Sequence, residues 1–425
     1  MTEQVEKSIV NGSVLVVGGG ISGMSVAIEA AEAGLDAHIV EANPTLGGRV
    51  SQLTKYFPKL CPPVCGLEIN YRRLRVNDKV HVHTLSRVTK VEGKPGDFRV
   101  TVEHRPRFVN DRCTACNECV DVCPVERDNT HDLGLSTTKA IYLPHIMAYP
   151  NRLVIDEATC EGSSCAKCVD ACKYGAIELD QDVTTEVINV GAVVVATGWR
   201  PYDATKLTNL GFGKHQDVIT NMMMERYANP QGPTNGKITC PSDGREPKTI
   251  AFVQCAGSRD ENHLPYCSGI CCMASLKQTT YIRAALPNAQ VRVFYIDIRT
   301  PGRLEDFYAK VKQDDKLSLE RGKVARIDEV DGTLHLRVED TLAGDIRDVE
   351  ADLVVLATGM EPMVREEPLP FELLLDEDSF GITDLDGTGI IVAGCAKRPF
   401  GVSDSVQDAT GAALRAIQSN VGRMA

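Results

Sequence analysis

The sequence predicts an α/β protein built from two nucleotide-binding β–α–β units, with a small cysteine-rich α+β domain set into the first. Three observations carry that expectation. Residues 13–17 form a short apolar run ending in Gly18, Gly20 and Gly23, followed by an Ala-rich helical stretch at 21–33, a second strand at 36–40 and then Glu41. Residues 249–297 follow the same β–α–β order without those glycines. Between the two lie eight cysteines in two runs, Cys113, Cys116, Cys119, Cys123 and Cys160, Cys165, Cys168, Cys172.

The first unit reads as dinucleotide-binding. G-x-G-x-x-G behind a strand gives a tight turn and lets the backbone approach a pyrophosphate at a helix N-terminus, and the acid after the second strand accepts from ribose hydroxyls. Gly47, Gly48 and Arg49 follow that acid. Two later apolar runs, 192–196 and 353–357, each end in Ala-Thr-Gly (Thr197, Gly198; Thr358, Gly359). A last strand at 389–394 closes on Gly394, ahead of a loop and helix over 402–417. This arrangement resembles the flavin segments of the glutathione and thioredoxin reductase superfamily. The resemblance implies a two-dinucleotide-binding-domain flavoprotein, with FAD held by Gly18, Gly20, Gly23, Glu41, Gly48, Arg49, Thr197, Gly198, Gly359 and Gly394. Cys395 stands where the superfamily carries an Asp, which removes one expected ribityl contact.

The first cysteine run, C-x2-C-x2-C-x3-C followed by Pro124, is the bacterial two-cluster ferredoxin pattern, in which each fourth cysteine ligates the other cluster. Cys113, Cys116, Cys119 and Cys172 are therefore assigned to one 4Fe-4S cluster, and Cys160, Cys165, Cys168 and Cys123 to a second. The second run departs from the pattern in its first gap and carries Lys173 where Pro is usual.

In the second unit the strand at 250–254 runs into Cys255, and Cys267, Cys271 and Cys272 precede a helix at about 273–285. Without a glycine fingerprint, a nicotinamide site is not expected there. Vicinal cysteines make no ordinary disulfide, because adjacent Cα atoms are only about 3.8 Å apart, but they can ligate two irons of one cubane. These four residues are the candidate ligands of a third 4Fe-4S cluster, close enough to the flavin to exchange electrons. Cys61 and Cys65 are a candidate redox pair beside the flavin, with cluster ligands or buried thiols as the alternatives. His81, His83, His131, His145 and His263 lack a carboxylate or cysteine at ligand spacing and read as ordinary surface histidines.

The chain has 425 residues, room for several cores, and a net charge of −12, which disfavours a nucleic-acid partner. Residues 1–12 are polar and offer no secretory h-region, and no run approaches the roughly 18 apolar residues of a membrane span. With 16 cysteines, that context predicts a reduced, cytoplasmic protein whose thiols bind metal. The expected domains are 1–104, FAD-binding; 105–182, the ferredoxin insert; 183–245, FAD-binding or linker; 246–350, the second nucleotide-binding-like domain; and 351–425, FAD-binding again.

The block from Cys255 to Asp260, with Tyr266, Cys267, Cys271, Cys272 and Met273, resembles the A-subunit of heterodisulfide reductase. Within that family, residues 55–63, 198–203, 254–263 and 299–303 resemble one branch, the A-subunits of quinone-interacting membrane-bound oxidoreductase complexes of sulfur-metabolising bacteria. The resemblance implies FAD, iron–sulfur clusters and electron relay between a membrane quinone pool and cytoplasmic adenylylsulfate reductase. The implied partners are a second subunit with flavin and iron–sulfur groups, and a haem-bearing membrane subunit. They would hold this chain peripherally at the membrane without a span of its own. Three other readings compete: a heterodisulfide reductase-like complex handling thiol carriers, a free-standing NAD(P)H-dependent iron–sulfur flavoprotein, and a non-catalytic assembly module.

Overall fold

Five parallel strands organise the first of two units in the computed structural model, which describes residues 12–341, 343–383 and 389–421. Their order is Ile390–Val392, Ala192–Val195, Ser13–Val17, Asp36–Glu41 and Val80–Thr84. Ser13–Val17 and Ala192–Val195 are buried at every position, as continuous apolar runs covered on both faces should be. The Ala-rich helix Ile21–Glu32 packs against the last helix, Val402–Val421, where small side chains allow close approach. An antiparallel meander of Ser86–Lys94, Asp97–His104 and Thr184–Val190 completes the frame.

The cysteine-rich insert leaves and re-enters between two paired residues, His104 and Thr184. It has two short hairpins, Glu126–Asp128 with Thr137–Lys139 and Ile141–Tyr142 with Val154–Ile155, and two one-turn helices, Glu118–Asp121 and Lys167–Ala171. Phe108, Val109, Ile141, Leu153, Ile155 and Ile177 fill its small core around Cys119. The insert is fastened to the loop beside the glycine turn. Leu46 N–H donates to the Tyr149 carbonyl at 2.9 Å, Arg107 donates to the Pro44 carbonyl and to Thr84 Oγ1, and Tyr71 stacks on Tyr149 at 5.1 Å.

The second unit comprises Gln52–Cys61 and Arg200–Glu361. Its parallel sheet runs Val218–Thr220, Leu353–Thr358, Thr249–Ala256, Gln290–Tyr295, Leu317–Arg321, followed by the meander Lys323–Val330, Thr333–Glu339, Ile346–Ala351. Asp331 and Gly332 both take left-handed φ, 51° and 76°, as the two-residue hairpin at that Asp-Gly requires. The expected boundaries at 245/246 and 350/351 are displaced to 199/200 and 361/362. The reason is strand pairing. Val218–Thr220 adds to Leu353–Thr358, so both flanks expected in the FAD domain belong to the second sheet.

Gln52–Cys61 joins the second unit through a buried polar network. Glu225 accepts from Thr54 N–H at 2.9 Å, from Gln278 Nε2 at 2.7 Å and from Tyr281 OH at 3.3 Å, and pairs with Lys277 Nζ at 3.0 Å. Lys277 also donates to the Lys55 carbonyl, Arg226 to that of Gln52, and Asn229 to that of Leu53. Both charges of the pair are almost wholly buried, so losing one strands the other without water. Glu225→Ala is expected to destabilise the protein by about 3–5 kcal/mol in denaturant unfolding and to expose 52–61 to protease. A variant as stable and as resistant as the wild type would show that the pair does not anchor this segment.

Candidate functional site

Around Gly18–Gly23 the backbone is packed too tightly for side chains in all but one direction. A Cβ on Gly18 would lie 2.4 Å from the Ala196 carbonyl oxygen, and one on Gly23 only 1.9 Å from that of Gly18. A Cβ on Gly20 would meet nothing closer than Gly48 Cα at 4.0 Å, so its front is open. That is the shape a pyrophosphate cradle needs: glycine for helix–strand contact at Gly23 and for ligand approach at Gly20. Thr197 Oγ1, beside this turn, is buried without a hydrogen-bond partner, a polar atom that a nucleotide would satisfy.

Other segments close the turn. Gly47 N–H donates to the Gly19 carbonyl at 2.9 Å, and Gly48 takes a left-handed φ of 54° against Gly20. Arg49 Nε donates to the Trp199 carbonyl at 3.2 Å and its guanidinium lies 5.9 Å from the Trp199 ring. Gly394 N–H donates to Asp408 at 2.8 Å, and a Cβ there would strike Ser22. Cys395 is buried, with its thiol near the Phe400 carbonyl and Ser405. Glu41 accepts from Gly19 N–H at 2.6 Å and from Asn43 backbone and side chain. It therefore ties the turn to the strand end, and burial pushes its pKa up. Gly198 has φ 75° in this unit, whereas Gly359 lies in the second, where a Cβ would collide with Ser258 and Leu264.

The insert brings its cysteines together in the crossed sets. Cys119 is buried beside Cys113, Cys172 and Cys116, and burial pushes its thiol up to about 12. Cys168 lies with Cys160 and Cys123, raised first by burial and then by those neighbours. Cys123, Cys160, Cys165 and Cys168 line one cavity together with Ile141 and Ile155. Left-handed Ala115, Asn117, Ala166 and Gly162 curl the chain round the sulfurs. The N–H groups of Ala115, Gly162 and Ala176 point at the Sγ atoms of Cys113, Cys160 and Cys172 at 3.3–3.4 Å. Gathered thiols with amide donors are a chemical match for a cubane, whose potential such hydrogen bonds tune.

In the second unit the helix begins at Cys271, earlier than the expected 273, so the vicinal cysteines form its first two positions. Cys271 has Cys272, Cys255 and Cys267 as neighbours, and burial pushes its thiol up. Its Sγ lies 3.4 Å from the Thr358 carbonyl, within the same unit. Cys255 holds a left-handed φ of 56°, uncommon for a residue with a Cβ. Arg259 and Arg299 stand by this set and share Asp297 at 2.9 and 3.1 Å. Cys61 and Cys65 have free thiols and fall in different units, Cys65 exposed on the helix Pro63–Val76. His83 departs from the sequence expectation, since His104 and Glu186, from strands far along the chain, bring it ligand-type partners.

Residues 13–117 match the FAD dependent oxidoreductase family. The chain is 37% identical over 427 residues to the A-subunit of the H(2):CoB-CoM heterodisulfide,ferredoxin reductase of Methanothermobacter thermautotrophicus, covering 97% of this chain and 64% of that protein. It is 39% identical over 433 residues to the iron-sulfur A-subunit of the CoB–CoM heterodisulfide reductase of Methanocaldococcus jannaschii, covering 97% and 65%. It thus spans less than two thirds of the length of these relatives. The fold is similar to that of bacillithiol disulfide reductase from Bacillus cereus (TM-score 0.52, 14% identity, covering 97% of this chain and 99% of that one). It is also similar to Lactococcus lactis thioredoxin reductase (TM-score 0.51, 12% identity, 96% and 99%).

Gly20→Val would fill the open side of the turn. The variant is expected to fold but purify largely free of FAD, read from flavin absorbance per protein. Flavin content equal to wild type would remove the cradle from this turn.

Proposed function

We propose that, over the span it shares with these relatives, this chain is an A-subunit of the heterodisulfide reductase type, an FAD-dependent oxidoreductase component, and that it relays electrons between its flavin and three iron–sulfur clusters within a larger complex. The observation that carries the reading is one chain combining a dinucleotide turn with three gathered sets of four cysteines. FAD takes or gives electrons in pairs or singly and a cubane only singly, so their combination converts between the two. The chain's own part is to hold the pyrophosphate at Gly20, keep water from the buried thiols, and aim amide donors at sulfur.

Anaerobically purified protein is expected to hold about twelve irons per FAD, each cubane contributing four. Cys271→Ser should lower that by about one cubane and leave the ferredoxin-type signals intact, while Cys172→Ser should damage the cluster of Cys113, Cys116 and Cys119. Wild type saturated at eight irons, with Cys271→Ser spectroscopically silent, would return the third set to packing.

For the partners, the resemblance of the phrases at 55–63, 198–203, 254–263 and 299–303 favours a quinone-linked complex that includes a haem-bearing membrane component and relays electrons between a quinone pool and adenylylsulfate reductase. The identities to methanogen proteins favour the second reading, a heterodisulfide reductase-type complex acting on a thiol/disulfide carrier. In the first reading the chain would meet the membrane through its partners, and among the described residues no helix is long and apolar enough to cross one. Anaerobic affinity capture from native cells separates the two. Recovery of adenylylsulfate reductase and a haem protein supports the first, and recovery of a disulfide-reducing partner without them supports the second.

A further inference from the structure

Away from the glycine turn and the cysteine sets, three ligand-type side chains from three strands converge. His83 lies on Val80–Thr84, His104 closes Asp97–His104, and Glu186 lies on Thr184–Val190. His83 Nδ1 is 4.0 Å and His104 Nε2 is 3.3 Å from the same oxygen, Glu186 Oε2, and one ligand atom from each residue lies within 4.8 Å of the others. Donors bonded to one Zn2+ at about 2.0–2.1 Å sit roughly 3.4 Å apart in a tetrahedron, so the trio needs only a slight closure to share an ion.

The far side of each ring is already engaged. Ser86 Oγ donates to the Thr84 carbonyl at 2.9 Å, which leaves its lone pairs for His104 Nδ1 at 2.8 Å. His104 Nδ1 then carries the proton, and Nε2 presents a lone pair toward Glu186. His83 Nε2 faces His38 Nδ1 at 3.3 Å; donating there leaves His83 Nδ1 bare on the Glu186 side. Metal-binding histidines are held in this way, with the second ring nitrogen donating to a fixed acceptor. Both imidazoles are largely sheltered, with side chains 17% and 23% exposed, while Glu186 keeps one face to water.

We propose that His83, His104 and Glu186 form a site for a borderline divalent cation, Zn2+ being the best chemical match to two imidazoles and a carboxylate, with the remaining position left to water. Its place in the chain indicates its work. His104 is the last strand residue before the cysteine-rich insert, and Glu186 stands on the strand that receives the chain afterwards, where Thr184 pairs with His104. His83 belongs to the edge strand of the parallel sheet. An ion there clips the root of the insert to the sheet that carries the glycine turn.

The test uses the anaerobic holoprotein, with FAD and clusters in place so that the cluster cysteines are occupied, stripped of loosely bound metal and dialysed against Zn2+. Wild type is expected to retain about one zinc per FAD, with only nitrogen and oxygen ligands in zinc-edge X-ray absorption. Glu186→Gln, a near-isosteric change at a half-exposed position, and His104→Ala should abolish retention. Ser86→Ala should weaken it by about 10–100-fold, and flavin content should be unchanged in each variant. No zinc on wild type, a sulfur-containing shell, or equal zinc on wild type and Glu186→Gln would each overturn the site.

Discussion

Backbone packed on backbone around a single turn is the constraint on which the first unit depends. Gly18 lies against Ala196, Gly23 against Gly18 and Gly48 against Gly20, backbone on backbone, while Gly394 lies against the Ser22 side chain. These contacts draw together strand ends from the start, the middle and the end of the chain. The parallel sheet is their consequence as much as their cause, because Ser13–Val17, Ala192–Val195 and Ile390–Val392 must stop at one level for the glycines to meet. Glu41, through Gly19, and Arg49, through Trp199, tie the turn down with side-chain hydrogen bonds.

Burial sets a second condition, this time on the thiols. Cys119, Cys168 and Cys271 are raised by burial, and their cysteine neighbours raise them further. Gathered sulfur of this kind resists becoming thiolate by itself, since water is removed and like charges are brought close. Bound iron would resolve the conflict, and the amides aimed at Cys113, Cys160 and Cys172 would share in it. Cys240 shows the contrast. It too is buried and raised, but its neighbours are Asp217, Asp352 and Arg245 rather than other thiols, and its Sγ rests on a carbonyl.

Whatever is local or fixed by motif is legible in the sequence. The turn at Gly18–Gly23 and the hairpin at Asp331 and Gly332 are both short-range patterns with a steric cause. Leu353–Thr358 is ambiguous because an apolar run ending in Ala-Thr-Gly has the same appearance in either sheet; only its pairing with Val218–Thr220 decides. The excursion of 52–61 is hidden because its partners, Glu225, Arg226 and Lys277, are remote in sequence and look like ordinary helix surface. His83 looks like any surface histidine for a similar reason, since its carboxylate neighbour comes from beyond the whole insert.

The pairing of His104 with Thr184 has a consequence for how such a chain can arise. Entry and exit of the insert are neighbours across one antiparallel ladder, so the intervening chain is topologically a loop on a hairpin. A lineage could gain or shed the whole cassette by closing that hairpin with a few residues, leaving every strand of the sheet in register. The cysteine-rich cassette could then be added to, or subtracted from, the same nucleotide-binding scaffold as a unit.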